Sequence, residues 1–237
     1  MSFQAVVLAG GKGTRLQPFT HVLPKPLLPI DQRPILDVVL SSLARDGCSR
    51  ATIAVGHLGH MIELYCGSGD RWGLELNYFR EQTPLGTVGA LAQIQTLPDG
   101  PFVVINGDVL SDLSFGSLLD AHAASRAELT IATFSRTVRD ELGILERDAE
   151  NRLTAYHEKP EHQYLVSMGI YVLDRSVIDL IPTGEAMDFP ALVQALLDAG
   201  RPVYSHTHSG YWLDLGRPDD FARANNEFAE IHPRLGV

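Results

Sequence analysis

The first thirty residues of this chain hold cations and glycines but no acid, and that imbalance is its strongest chemical signal. The chain carries 29 Asp and Glu against 19 Lys and Arg, a net charge of -10, yet its first acid is Asp31. Within AVVLAGGKGTRLQPFTHVLPKPLLPI a short apolar run ends at Leu8 and Ala9 and opens into Gly10, Gly11 and Gly13. Lys12, Thr14 and Arg15 are interleaved with them, and Lys25 follows between Pro24 and Pro26. Glycines let a backbone approach a ligand closely and present its N–H groups. Uncompensated cations beside such a turn suit a polyanion, so the segment reads as a phosphate site, and as a triphosphate site in particular. Two better-known phosphate loops do not fit. The Walker string is absent, and the dinucleotide fingerprint needs a third glycine where Leu16 stands.

The acids that could serve a metal stand far along the chain. Asn106-Gly107-Asp108 follows the apolar run 102–105, where an acid at the end of a buried parallel strand faces the ligand edge; by itself Asp108 reads equally well as a cap. Asp214 lies in Tyr211-Trp212-Leu213-Asp214-Leu215-Gly216, and Asp112 and Asp220 are alternative acids that look like caps. Two carboxylates from distant segments, together with a triphosphate, are what a hard octahedral Mg²⁺ prefers. No Ser–His or Cys–His pairing for nucleophilic catalysis is visible. Cys48 and Cys66 lack metal or redox spacing and read as reduced thiols. Nine histidines are scattered; His57, His60, His206 and His208 form no metal pattern and read as surface or structural.

The ordered set Gly10, Gly11, Gly13, Thr14, Arg15, Leu16, Pro18, Pro24, Lys25 and Pro26 resembles the signature of the sugar-1-phosphate nucleotidylyltransferases. In look it is nearest to the small guanylyltransferases of the mannose and heptose 1-phosphate type. The resemblance spans nearly the whole chain. It implies that a nucleoside monophosphate passes from a nucleoside triphosphate to a sugar 1-phosphate, or a pseudo-sugar phosphate, releasing pyrophosphate. It also implies Mg²⁺ held by Asp108 and Asp214, the latter in a match to the family's late Trp-x-Asp-x-Gly. The stretch from Leu8 to Arg15, with Lys25, Asn106 and Gly107, would contact the nucleotide. Glu158-Lys159-Pro160 resembles the family's Glu-Lys-Pro, whose Lys binds the sugar phosphate and whose Glu holds sugar hydroxyls. Gly143 resembles a glycine that meets the sugar through its backbone. Ser167, two residues before Gly169, stands in or near the place where relatives often carry Asn. The segment Glu81-Gln82-Thr83-Pro84-Leu85-Gly86-Thr87 resembles the base-reading loop, and alignment on Pro84 and Gly86 puts Glu81 at the base edge. An ionised carboxylate only accepts hydrogen bonds. Guanine offers it two adjacent donors, whereas uracil or thymine offers one donor between two carbonyls. GTP is therefore the expected substrate; a slip of one residue would put Gln82 at the edge and restore UTP or dTTP. The sugar stays open among mannose, heptose, glucose, an amino sugar and a cyclitol.

The substrates dictate modest chemistry. A phosphate monoester has a second pKa of about 6, so the attacking oxygen is already ionised at neutral pH and needs no general base. The site must instead neutralise and align two anions that repel each other. Arg15 and Lys12 are expected on the leaving phosphates, Lys25 on the α-phosphoryl group and Lys159 on the attacking phosphate. Two other readings compete. A nucleotide-sugar glycosyltransferase would favour an Asp-x-Asp motif, which Gly107-Asp108-Val109 lacks, and a non-catalytic sensor of the same fold would bind the nucleotide sugar without turning it over.

The elements that must position these groups follow from periodicity. Apolar runs at 5–9, 51–55, 74–79, 102–105 and 129–134 read as strands, with helices at 35–44, 88–97 and 115–124 between them. Alternation of this kind implies an α/β fold, a three-layer, Rossmann-like, mostly parallel sheet flanked by helices. Further on, 144–146 and 153–157 read as a hairpin, 170–173 and 203–206 as strands, and 189–197 and 218–228 as helices. The expectation is one catalytic domain over 1–237. About 1–135 would bind nucleotide, and about 136–237, partly β-rich, the sugar phosphate; no hexapeptide β-helix is expected beyond it. The N-terminal apolar run is too short for a signal peptide or a membrane span. The acidic balance disfavours nucleic acid and anionic membranes. A cytoplasmic location is expected, and a homodimer is admitted.

Overall fold

A computed structural model describes residues 2–236 and gathers the apolar runs into a seven-stranded sheet. The first part of the chain supplies β1 (Phe3–Ala9), β2 (Pro29–Ile30), β3 (Arg33–Pro34), α1 (Ile35–Arg45), β4 (Cys48–Val55), α2 (Gly59–Cys66) and β5 (Glu75–Arg80). The middle supplies β6 (Phe102–Asn106), β7 (Val109–Ser111), α3 (Phe115–Ser125), β8 (Leu129–Arg139) and the hairpin β9 (Ile144–Arg147) and β10 (Leu153–His157). Then come β11 (Glu161–Leu173), α4 (Phe189–Asp198), β12 (Val203–His208), β13 (Trp212–Asp214) and α5 (Pro218–Leu235).

The strand order is β12-β8-β11-β6-β1-β4-β5. All pairings are parallel except those of β11, which runs antiparallel to both β6 and β8. From β1 the chain moves outward through β4 and β5, then returns to lay β6 on the other side of β1. The strand order therefore reverses between β1 and β6, and the carboxyl ends of these two strands frame the crevice where such sheets bind ligands.

Alternation along β1 builds both faces. Ala5, Val7 and Ala9 join one buried cluster with α1, α2 and α3, through Leu36, Leu40, Ile62 and Leu118. Val6 points the other way, into a second cluster with Val177, Leu192 and Leu196 of the α4 side. A third cluster holds α5: Ala224, Phe228, Ile231 and Leu235, at helical spacing, pack on Leu16, Leu28 and Ile35. Burying each of the larger side chains contributes about 1.5–3 kcal/mol. That packing matters for the site, because Leu16 and Leu28 flank the glycine and cation segment. The final helix braces it.

Several elements depart from expectation. The helix expected over 88–97 is only a short 3-10 turn, Gly89–Gln93. The chain leaves helical geometry at Ile94, whose backbone is extended, while at the start of the turn the amides of Val88 and Gly89 donate to the Met187 carbonyl at 3.0 and 3.3 Å. Strands β8 and β11 extend well past the apolar runs at 129–134 and 170–173, pairing with each other from Glu161↔Arg139 to Ser167↔Thr133. These arms are largely exposed, Val138, Tyr164 and Leu165 included, so no buried face imposes a hydrophobic alternation on them. Helix α2 and the short strands β2, β3, β7 and β13 have no counterpart among the expected elements; α2 buries only Gly59, Ile62 and Cys66. Among the described residues no helix is long and apolar enough to cross a membrane.

Candidate active site

The crevice over β1 and β6 is a cleft of about 870 Å³. Leu8, Ala9, Gly10, Gly11, Lys12, Gly13, Thr14, Arg15, Lys25, Glu81, Pro84, Gly86, Thr87, Asn106, Gly107, Asp108 and Asp214 all line it. Every residue that the sequence assigned to the nucleotide or the metal is thus on one surface.

Local geometry explains how each group arrives. After β1 the chain turns at Gly13, whose φ of +61° is left-handed, and the Leu16 amide donates to the Gly13 carbonyl at 2.9 Å. A Cβ on Gly13 would stand 2.9 Å from Thr20 and 3.0 Å from Lys25, so a side chain there would collide with the wall that seats the lysine. Lys25 is buried and donates to Asp108 in a direct ion pair. Asp108 is delivered by β6, where the Gly107 amide donates to Leu8 O at 2.9 Å and ties the two strand ends together. Asp214 comes from the far end of the chain because β13 pairs antiparallel with β7, Asp214 opposite Val109, and the Leu215 amide donates to Asp108 O at 3.1 Å.

The electrostatics of this corner are strained. Asp214 opens on the cleft, but the surrounding walls desolvate it and the Asp108 carboxylate repels it, so its pKa lies above the ordinary value despite Lys25 and Arg15 nearby. The Arg15 guanidinium lies beside Gly216, 3.1 Å from where a Cβ would stand. A carboxylate whose ionisation is opposed by burial and by a neighbouring carboxylate is one that a cation relieves.

Glu81, which also lines the cleft, follows β5, and its amide donates to Val55 O at 2.9 Å. Its carboxylate presses against Gly10, where a Cβ would come within 2.7 Å of Oε2. Burial raises its pKa. Gly10 is therefore needed for Glu81 to reach the cleft, a pairing between residues 71 positions apart. Gln82 and Thr83 line the same wall.

The residues expected at the sugar lie outside the cleft lining. Gly169 abuts it: with φ +73° at an irregularity in β11, its Cβ would stand 2.5 Å from Asn106 Nδ2. Ser167 donates to the Tyr171 hydroxyl at 3.1 Å and accepts from the Gly169 amide at 3.3 Å, so it shapes that irregularity. Gly143 lies against the Tyr156 ring, and the Tyr156 hydroxyl donates to Glu158 at 2.7 Å. Lys159 is exposed, in no ion pair with a described residue, at a left-handed φ of +46°. Of the alternative acids, Asp112 is engaged by His208 at 2.8 Å, the Tyr211 amide at 2.6 Å and Arg234 at 2.5 Å. Burial opposes its charge, but those donors hold its pKa below the usual range.

Sequence reasoning missed Gly56, His57 and Asp188, which also line the cleft. On sequence alone His57 reads as surface or structural, yet it stands just past the carboxyl end of β4, an address that could have flagged it. Gly56 passes so close to Gly10 O that a Cβ would come within 2.6 Å.

A glycine and cation loop thus stands at the reversal point of a Rossmann-like sheet, with two carboxylates across from it. A family model described as nucleotidyl transferase matches residues 4–231, and the chain belongs to that family. It is 37% identical over 229 residues to a mannose-1-phosphate guanylyltransferase of Mycobacterium tuberculosis, a match covering 93% of this chain and 63% of that protein. It is 34% identical over 242 residues to a UTP–glucose-1-phosphate uridylyltransferase of Synechocystis sp., covering 93% and 62%. The chain thus spans about three-fifths of the length of these curated relatives. HddC from Yersinia pseudotuberculosis shares the fold, with a TM-score of 0.76 at 24% identity, covering 95% of this chain and 99% of that one.

Proposed function

We propose that this chain transfers GMP from GTP to a sugar 1-phosphate, with mannose 1-phosphate the first candidate, releasing pyrophosphate. The observation that carries this reading is the cleft itself. The glycine loop, Lys25 and the Asp108–Asp214 pair line it, and a desolvated carboxylate, Glu81, follows β5 and stands against Gly10. The sugar phosphate is supported by the guanylyltransferase relatives, and the base by the acceptor-only chemistry of Glu81 toward guanine's paired donors.

Mg²⁺ fits the donor set. Among the described residues no group of three or more His, Cys, Asp and Glu could hold a metal alone. Two hard carboxylates, with the rest of the shell left to phosphate and water, is how Mg²⁺ is usually held. Asp108 and Asp214 would hold it, and it would supply charge stabilisation for the phosphates. The chain's own residues do the remainder. Arg15 and Lys12 bind the leaving phosphates, and Lys25, released from Asp108, neutralises the α-phosphoryl group. Lys159 steadies the dianionic sugar phosphate; its left-handed backbone is the type of conformation that persists where function requires it. No side chain needs to accept a proton, since the attacking oxygen is ionised at neutral pH.

Pyrophosphate release from a matrix of five nucleoside triphosphates against a panel of sugar 1-phosphates tests the proposal. GTP with mannose 1-phosphate is the expected best pair, and Glu81→Gln should erase the GTP preference and admit UTP or dTTP. A wild-type enzyme that favours UTP or dTTP would end the base assignment. No pyrophosphate from any pair would leave a binding protein.

A further inference from the structure

The loop that follows β5 does not hold its own shape; a segment a hundred residues away holds it. Thr87 and Asp188 form a reciprocal clamp. The Thr87 amide donates to Asp188 Oδ1 at 2.9 Å and the Thr87 hydroxyl to the same oxygen at 3.3 Å. In return the first amide of α4, that of Phe189, donates to Thr87 Oγ1 at 3.0 Å. Next to the clamp the Met187 amide donates to Leu85 O at 2.9 Å. Gly86, at φ +73°, is packed so tightly on this strap that a Cβ would stand 2.5 Å from Met187 O and 2.7 Å from Asp188 Oδ1. The residue before a helix ordinarily turns its oxygen back on its own second or third amide. Asp188 caps no amide of α4 with its side chain and reaches across to the loop instead.

We infer that Asp188 is the positioning residue for base recognition: through Thr87 and Gly86 it fixes the loop that begins at Glu81, so nucleotide affinity depends on α4. This rests on the nucleotide reading of the cleft but not on the identity of the base. The oxygen that matters is Oδ1 as an acceptor, not the negative charge. Asparagine keeps that acceptor; alanine does not.

The test compares Asp188→Ala, Asp188→Asn, Thr87→Val and Thr87→Ser in the whole chain, with thermal melting as the check on folding. Steady-state kinetics on GTP and mannose 1-phosphate, and calorimetric binding of Mg·GTP without sugar, are the readouts. Losing two hydrogen bonds to a charged acceptor should raise KM and Kd for GTP on the order of tenfold in Asp188→Ala, where tenfold is 1.4 kcal/mol. Turnover and KM for mannose 1-phosphate should stay within about twofold. Asp188→Asn should recover most of the loss, as Thr87→Ser should relative to Thr87→Val. Unchanged GTP affinity in folded Asp188→Ala would overturn the inference, and so would equal damage from Asn and Ala, which would make charge the cause. If Asp188→Ala fails to fold, the Thr87 pair decides. If the wild type prefers UTP, the same series is read with UTP: loss of its affinity upholds the clamp while the guanine reading falls.

Discussion

If Asp214 holds the metal, stability and activity oppose each other there. Burial first, then repulsion from Asp108, raises its pKa in the folded protein. At low pH folded and unfolded chains both hold the proton, and the residue is neutral to stability. As pH rises the unfolded chain ionises first while the fold resists, so the native state loses ground and keeps that deficit above the folded pKa. Metal-free Asp214→Asn should therefore melt higher than wild type at pH 7 and equal to it near pH 3, although it should lose nearly all turnover. A lower melting temperature at pH 7 would show that Asp214 is a net stabiliser. Lys25→Ala should cost turnover by roughly a hundredfold or more, as expected for a lost charge on a developing anion. Lys159→Ala should instead raise KM for the sugar phosphate more than for GTP. The place of Asp108 and Asp214 on the cleft was legible because each stands in a short string with a glycine. Asp188 was not, because an acid before Phe-Pro and a helical run reads as an ordinary cap; its partner Thr87 is far off in sequence.

Among the elements, the loop after β1 separates space from strain. Gly11 has no left-handed φ, and a Cβ added to it would meet nothing within 4 Å, whereas one on Gly10 would push Glu81 aside. Gly11→Ala should melt within about 2 °C of wild type, since substitutions that meet open space change stability little. If its amide approaches the triphosphate closely, KM for GTP should nevertheless rise, because the new methyl group would stand where a phosphate belongs. Gly10→Ala should weaken GTP binding through Glu81 and blur base preference, and a GTP-to-UTP selectivity measurement distinguishes the two variants. The strands through the core were readable because they are short, apolar and buried on both faces. The true extent of the segment 88–97 was not, since the backbone turns extended at Ile94 within an apolar pattern that still reads as helical. The arms of β8 and β11 were missed for the opposite reason: exposed residues pair there with no buried face to set a pattern.

Taken whole, the molecule grades from a dense centre to a thin edge. Strands β1, β4 and β6 are buried almost throughout, while β9, β10 and the outer arms are almost entirely exposed. Amide exchange should therefore be slowest in the central strands and fastest in the hairpin, whose opening requires no loss of core contacts. If Lys159 and Glu158 receive the sugar phosphate, mannose 1-phosphate with nucleotide should slow exchange in β10 and the outer arm of β11. Uniform protection across hairpin and centre would contradict this gradient. The sequence conveyed the alternation of strands and helices, and from it the parallel character of the sheet. Strand order was out of reach, because the return of β6 to the other side of β1 depends on which faces pack together.

The same density gives the molecule a built-in clock. Cys48 starts β4 beneath the sheet, Cys66 ends α2, both are buried, and burial pushes each thiol up to about 12. Only a thiolate attacks an alkylating reagent. Neither sulfur should react in the native state near neutral pH, so carbamidomethylation there reports how often the chain opens. A mass shift of one label before two would time the release of α2 against that of β4, without a probe being added to the chain.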